Sequence, residues 1–155
     1  MRSALVILIA ISLGLATAAQ VSKSDVAVNH LVKAHPEVQW DHESAAVADV
    51  NCDRKTESIV LGKQANEVVI AVVSGGRQDK PELLYFPIRA DTQDGFCAMP
   101  VRIEVYSLEC DSDEGSLPGC RPAKGCQAFT VRDDECDGFN FYWNSSRKSL
   151  VWWRH

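Results

Sequence analysis

The sequence predicts an α+β domain in which one N-terminal helix is followed by a mostly antiparallel, disulfide-stapled β-sheet. Three observations support this fold class. Apolar residues recur at helical spacing near the start of the chain, and after Trp40 short apolar runs alternate with turn residues. An even number of cysteines, six, lies in the same part of the chain, which indicates a disulfide framework if the protein is exported.

Residues 1–19 have the features of a secretory signal peptide. Arg2 gives a positive start, residues 4–15 form an apolar run, and small residues at 16–19 suit cleavage. The run is shorter than the ~20 apolar residues that span a bilayer, so we expect no membrane span after cleavage. The sequence therefore predicts a single domain over residues 20–155 in a periplasmic or extracellular location.

The charge of the exported part excludes some partners. With Arg2 removed from the 16 Lys and Arg, 15 positive residues face 21 Asp and Glu, so the net charge is about −6. An acidic domain of this kind is a poor ligand for nucleic acid or for an anionic membrane surface. It is compatible with a cation, or with a protein or glycan partner.

The helix is predicted over Ser22–Ala34. Ser24 is the expected N-cap, and Val28, Leu31 and Val32 are the expected buried stripe. The strands that follow are predicted from short apolar runs bounded by turn residues, at residues 45–50, 58–63, 67–74, 82–88, 101–108, 127–132, 139–144 and 149–154.

The cysteine positions restrict the disulfide pairing. If residues 101–108 pair with residues 127–132, Cys110 and Cys126 lie near one end of that hairpin, and Cys97 and Cys136 near the other. We therefore predict a Cys97–Cys136 bond. Cys110 would bond to Cys126 or to Cys120, and Cys52 would bond to the remaining cysteine. A zinc site is disfavoured because the chain has no Cys-x-x-Cys pair.

One stretch has a readable chemistry, the nine residues from Asp49 to Glu57. Oxygen-bearing side chains occur at its first, third, fifth and ninth places, as Asp49, Asn51, Asp53 and Glu57, and the Lys55 carbonyl could add a backbone ligand. Ca²⁺ binds six to eight oxygen ligands in flexible geometry, so this spacing predicts a calcium loop with a structural role. An EF-hand is excluded because its twelfth place is Val60 rather than Glu.

This loop resembles the calcium loops of FG-GAP/VCBS repeats and of thrombospondin-type domains, which have the form Asp-x-Asn-x-Asp-Gly-x-x-Asp before an apolar strand. The resemblance covers residues 45–61 and implies a Ca²⁺ cofactor. Arg54 replaces the usual glycine, and the loop occurs in a single copy, so a propeller built from such repeats is excluded. The chain also resembles a type of small exported bacterial protein with one loop of this kind.

The C-terminal aromatic segment is the second informative stretch. Phe139, Phe141 and Trp143 alternate on one face, with Tyr142 on the other, and Trp152 and Trp153 lie on opposite faces of the next strand. We predict either that this hairpin completes the core or that Tyr142, Trp152 and Trp153 contribute to a recognition patch. Residues 144–146 also form a glycosylation acceptor pattern.

No catalytic residue is predicted. Residues 41–44, Asp-His-Glu-Ser, offer an acid, a base and a nucleophile, but neighbours in sequence rarely converge as a triad does. The sequence thus favours a non-catalytic exported binding domain of the inhibitor, immunity or envelope-recognition type. The alternatives are a small secreted hydrolase that uses carboxylates and a structural envelope component.

Overall fold

A computed structural model describes residues 22–74, 80–89, 93–112 and 115–154. The predicted signal peptide lies outside these residues. The described chain contains one α-helix and mostly antiparallel strands, which confirms the predicted α+β class. Within these residues, no helix is long and apolar enough to cross a membrane.

Helix α1 spans Lys23–Ala34. Its N-cap is Ser22 and not the predicted Ser24, because Ser22 and Asp25 form a capping box in which each side chain accepts the other's backbone N–H. Val28 and Leu31 are fully buried as predicted, whereas Val32 is 42% exposed, so its predicted place in the stripe is wrong. Burial of a side chain such as Leu31 contributes about 2 kcal/mol to stability.

The first sheet has the strand order β1-β3-β4-β5, with β2 also paired to β3. Its strands are β1 (Gln39–Trp40), β2 (Ala46–Ala48), β3 (Glu57–Gln64), β4 (Glu67–Val73) and β5 (Glu82–Pro87). Strand β4 reads as a continuous apolar run because both of its faces are covered. Val69 and Ala71 pack with α1, while Val68 and Ile70 face the second sheet.

The second sheet has the strand order β11-β10-β9-β6. Its strands are β6 (Arg102–Ser107), β9 (Gln127–Arg132), β10 (Phe139–Asn144) and β11 (Ser149–Trp153), and a small hairpin of β7 (Asp111–Ser112) and β8 (Gly115–Ser116) lies between β6 and β9. The predicted pairing of residues 101–108 with 127–132 is confirmed. The fold is therefore three layers, with α1 on the first sheet and the first sheet on the second.

An aromatic cluster fills the space between the two sheets. Phe129 and Phe141 stack with ring centres 4.8 Å apart, and Phe86 and Phe139 lie 4.7 Å apart. Aromatic pairs at these distances contribute about 1 kcal/mol each beyond the area they bury. The main core of the domain therefore lies between the sheets, and α1 covers the far side of the first sheet.

All six cysteines are paired, as Cys52–Cys126, Cys97–Cys136 and Cys110–Cys120. The predicted Cys97–Cys136 bond is confirmed. Of the two partners left open for Cys110, the structure selects Cys120, and Cys52 then bonds to Cys126. A disulfide framework of this kind is typical of an oxidising compartment.

A buried carboxylate supports the Cys97–Cys136 junction. Asp133 is 5% exposed. Its Oδ2 accepts the N–H of Cys97 at 2.7 Å and of Ala98 at 3.3 Å, and its Oδ1 accepts the N–H of Glu135 at 2.8 Å and of Cys136 at 2.7 Å. One side chain thus satisfies backbone donors from both of the segments that the disulfide joins.

Candidate functional site

The loop between β2 and β3, together with the first residue of β3, contains all of the predicted calcium ligands. The Asp49 carboxylate, at its start, accepts the backbone N–H of Asp53 at 3.1 Å and of Arg54 at 3.0 Å. Asn51 Oδ1 accepts the Asp53 N–H at 2.9 Å, and Asp53 Oδ1 accepts the Lys55 N–H at 2.8 Å. These side chains curl the loop because each one accepts a donor two to five residues further along the chain.

Glu57 closes the loop from the first residue of β3. It is 2% exposed. Its Oε2 accepts the N–H of Val50 at 3.0 Å and of Asn51 at 3.3 Å, and its Oε1 accepts the Asn51 side-chain amide at 3.2 Å. Burial raises the pKa of Glu57, and the negative charges of Asp53 and Asp49 add to that rise, while the two backbone N–H groups oppose it.

Two residues of the loop have left-handed backbone conformations. Cys52 has φ 64° and Arg54 has φ 69°. Arg54 occupies the place where the resembling loops carry glycine, so the structure gives arginine the conformation that glycine adopts without strain. A non-glycine residue in this region costs about 1 kcal/mol, which the surrounding hydrogen bonds must offset.

The loop is fastened to the second sheet. Cys52 is bonded to Cys126, which directly precedes β9. The next residue, Gln127, donates its N–H to the Asp49 carbonyl at 2.9 Å and accepts the Asp49 N–H on its side-chain oxygen at 3.2 Å. Gln127 had no signal in the sequence, because its role depends on a partner 78 residues away.

These contacts decide how well the loop fits a cation. Both oxygens of Asp49 and both oxygens of Glu57 already accept N–H groups of the loop. Among the residues that the structure describes, no three His, Cys, Asp or Glu side chains form a group that could hold a metal ion. In this arrangement the carboxylate oxygens of Asp49 and Glu57 are engaged in the hydrogen bonds of the loop itself.

The three predicted binding residues lie in different surroundings. Tyr142 is 5% exposed, and its hydroxyl donates to the Pro118 carbonyl at 2.9 Å. Trp152 is 40% exposed and packs against Phe86 and Phe139 at the margin of the core. Trp153 is half-buried on the opposite face of β11, with its ring centre 5.5 Å from that of Tyr142. The predicted opposite placement of the two tryptophans is confirmed.

Trp153 belongs to a row of side chains that crosses the outer face of the second sheet. The registers place Glu104 opposite Thr130, Thr130 opposite Asn140, and Asn140 opposite Trp153. We call these four residues the outer row. Helix α1 covers the other sheet, so among the described residues no helix lies over this row. Strand alternation predicted two-sided strands but could not show which face the helix would leave open.

Two other sequence motifs have structural roles. Ser44 donates its hydroxyl to the Asp41 carbonyl at 2.8 Å and accepts the Leu61 N–H at 3.1 Å, which joins the 42–44 turn to β3. Asn144, of the glycosylation pattern, is 5% exposed and donates its side-chain N–H to the Pro118 carbonyl at 2.7 Å. The amide nitrogen that would carry a glycan is therefore inside a packed turn.

Comparisons with known proteins do not assign the chain to a family. No protein-family model, curated protein or solved structure matches the chain. The resemblance of residues 45–61 to calcium loops is neither supported nor contradicted by these comparisons.

Proposed function

We propose that this protein is an exported, non-catalytic binding domain of the inhibitor, immunity or envelope-recognition type. The observation that supports it best is the outer row of the second sheet, where one exposed and three half-buried polar or aromatic side chains lie on a framework held by three disulfides. Rigid scaffolds that present aromatic and amide groups bind partners with little loss of conformational entropy.

The alternative, a small secreted hydrolase, would need carboxylates available for proton transfer. The most buried carboxylates, those of Asp49, Glu57 and Asp133, accept backbone or side-chain N–H groups on both of their oxygens. A carboxylate held in this way stabilises loops and is a poor general acid or base, since the reacting proton must displace a native hydrogen bond. These contacts favour the binding domain over the hydrolase.

Export is the second part of the proposal. It rests on the signal-like composition of residues 1–19 and on the three disulfides, which persist in oxidising compartments. We propose a periplasmic or extracellular location.

Affinity capture tests the binding role. The exported protein, immobilised through one terminus, should retain a specific component of its native envelope or medium. Release of the captured component by an excess of the free protein would show that the capture is specific. Failure to retain any component, together with hydrolysis of a peptide, glycan or ester substrate, would favour the hydrolase. Failure in both assays would favour the third alternative, a structural envelope component.

Calcium binding by the loop is a further proposal, supported by the oxygen spacing of Asp49, Asn51, Asp53 and Glu57 and by the curled backbone at Arg54. In a titration calorimeter, Ca²⁺ should bind with a Kd in the millimolar range or tighter, as in extracellular calcium modules, and should raise the Tm. Binding requires Asp49 and Glu57 to turn oxygens from backbone N–H groups towards the ion.

The variant for this test is Asp53→Asn, because Asp53 is exposed and the asparagine oxygen can still accept the Lys55 N–H. It should remove most of the Ca²⁺ response while leaving the metal-free Tm nearly unchanged. Asp137→Asn, an exposed carboxylate beyond the other end of β9, is the matched control and should keep the response. Calcium binding by the loop is excluded if millimolar Ca²⁺, in 10-fold molar excess over the protein, produces no heat of binding and no change in Tm.

A further inference from the structure

The outer row combines an aromatic surface with hydrogen-bonding groups along one line. Its four residues stand on four adjacent strands in a continuous register, Glu104, Thr130, Asn140 and Trp153. Neighbouring strands lie about 4.8 Å apart, so the line extends about 14 Å from β6 to β11. Their side chains project from the same face of the sheet, because each residue lies directly opposite the next.

Trp153 presents carbon to the solvent. The indole N–H is buried, and no residue that the structure describes accepts it. The ring as a whole is only half-buried. The exposed part of the indole is therefore its aromatic hydrocarbon, which packs well against an apolar C–H surface and offers a ligand no hydrogen bond.

Asn140, the neighbour of Trp153, presents donors. Its Oδ1 accepts the Thr130 hydroxyl at 2.6 Å, which fixes the orientation of the amide. Its two N–H groups have no acceptor among the described residues, and Asn140 is half-exposed.

The charges on this face cancel. Glu104 forms an ion pair with Arg132, and Arg102 forms one with Asp134. A face with paired charges has no electrostatic preference for an anion or a cation. These charges are paired within the protein, so this face needs no charged ligand to balance it.

We propose that the outer row binds a neutral glycan, with the C–H face of a pyranose ring on Trp153 and sugar hydroxyls bonded to Asn140 and Glu104. A pyranose ring has this combination of an apolar face and a rim of hydroxyls, and it carries no charge. The inference rests on the proposed binding function and gives its ligand class. A protein partner on the same face is the competing outcome.

The test is titration of the exported protein with four neutral hexasaccharides, cellohexaose, chitohexaose, maltohexaose and mannohexaose, followed by ¹H–¹⁵N NMR. At least one should bind and should shift the side-chain signals of Asn140 and Trp153. Trp153→Ala should weaken that binding at least about tenfold, as loss of an interface tryptophan does. Asn140→Asp keeps the acceptor for Thr130 but removes both donors, and it should weaken binding by a similar factor.

Tyr85→Ala is the control, because Tyr85 is an aromatic residue that is more exposed than Trp153, at 44%, and lies on the first sheet. It should leave the affinity unchanged. Circular dichroism and Tm show whether each variant is folded. If Trp153→Ala does not fold, the Asn140→Asp variant alone tests the proposal. Failure of all four sugars to bind, or binding that survives both variants, overturns the glycan site. Failure of all four sugars together with capture of a protein by wild type but not by Trp153→Ala would preserve the binding function while excluding this ligand class.

Discussion

Replacing Asp133 with asparagine is expected to lower the free energy of unfolding by about 3 kcal/mol at neutral pH. Asparagine fits the site, but it can accept on one oxygen only, and its NH₂ group then faces backbone donors. Two of the four N–H groups that Asp133 accepts, either those of Cys97 and Ala98 or those of Glu135 and Cys136, therefore lose their acceptor inside the protein. Urea unfolding at pH 7 measures this loss.

The loss of unfolding free energy caused by Asp133→Asn should diminish in acid. Burial acts to raise the pKa of Asp133, but the hydrogen bonds from Cys136, Glu135, Cys97 and Ala98 outweigh it, and the net pKa is below the ordinary value. A carboxylate with a lowered folded pKa contributes its stability above its unfolded pKa, about 3.9, and that contribution is lost as the pH falls through the folded pKa. The stabilities of wild type and variant should therefore begin to converge below about pH 4 and approach each other further as the pH falls through the lowered folded pKa of Asp133.

The pKa of Glu57 is shifted in the opposite direction, and this shift does not affect the comparison of wild type with Asp133→Asn. Its pKa is raised, so its ionised form costs stability at high pH, and protonation recovers that stability as the pH falls. Because Glu57 is present in both proteins, its effect cancels in their difference.

Asp134→Asn is the control for the Asp133 variant. Asp134 is the next residue, and its ion pair with Arg102 lies on the surface. A surface ion pair contributes at most about 1 kcal/mol, and salt screens it. Two results would contradict the role of Asp133. One is an equal loss of unfolding free energy in the two variants, and the other is a difference in unfolding free energy between wild type and Asp133→Asn that is undiminished at pH 2.

The architecture could be predicted because periodicity and turn residues report local backbone structure. The alternation in residues 101–108 indicated a strand, and the assumption that this strand pairs with residues 127–132, which the structure confirms, led to the Cys97–Cys136 bond. The choice between Cys120 and Cys126 for Cys110 could not be made from sequence, since both partners lie in one excursion between the same two strands.

The loop chemistry was visible in the sequence only in part. The spacing of oxygens from Asp49 to Glu57 indicated that these side chains converge, but a ligand oxygen and a hydrogen-bond acceptor have the same sequence signal. The contacts of Gln127 with Asp49 and of Asp133 with Cys97 had no signal in the sequence, because each joins groups far apart along the chain. Such contacts depend on tertiary packing, which no local pattern reports.

The disulfide that fastens this loop should contribute the largest single stabilisation. Replacing both Cys52 and Cys126 with serine is expected to cost about 4 kcal/mol. The bond joins residues 74 apart, and closing a long loop removes more entropy from the unfolded chain. The Cys97–Cys136 bond shortens the path between the two residues somewhat, which lowers the value from the ~4.5 kcal/mol expected for an isolated bond.

The matched control is the double serine variant of Cys110 and Cys120, which are only 10 residues apart and should cost about 2.7 kcal/mol. Urea unfolding without reductant compares the two. Loss of the Cys52–Cys126 bond should also speed amide hydrogen exchange at Asp53 and Arg54, since only the two Gln127 hydrogen bonds then hold the loop to β9. A larger loss from the short-loop variant, or unchanged exchange in the loop, would show that the loop is held by its own hydrogen bonds and needs no tether.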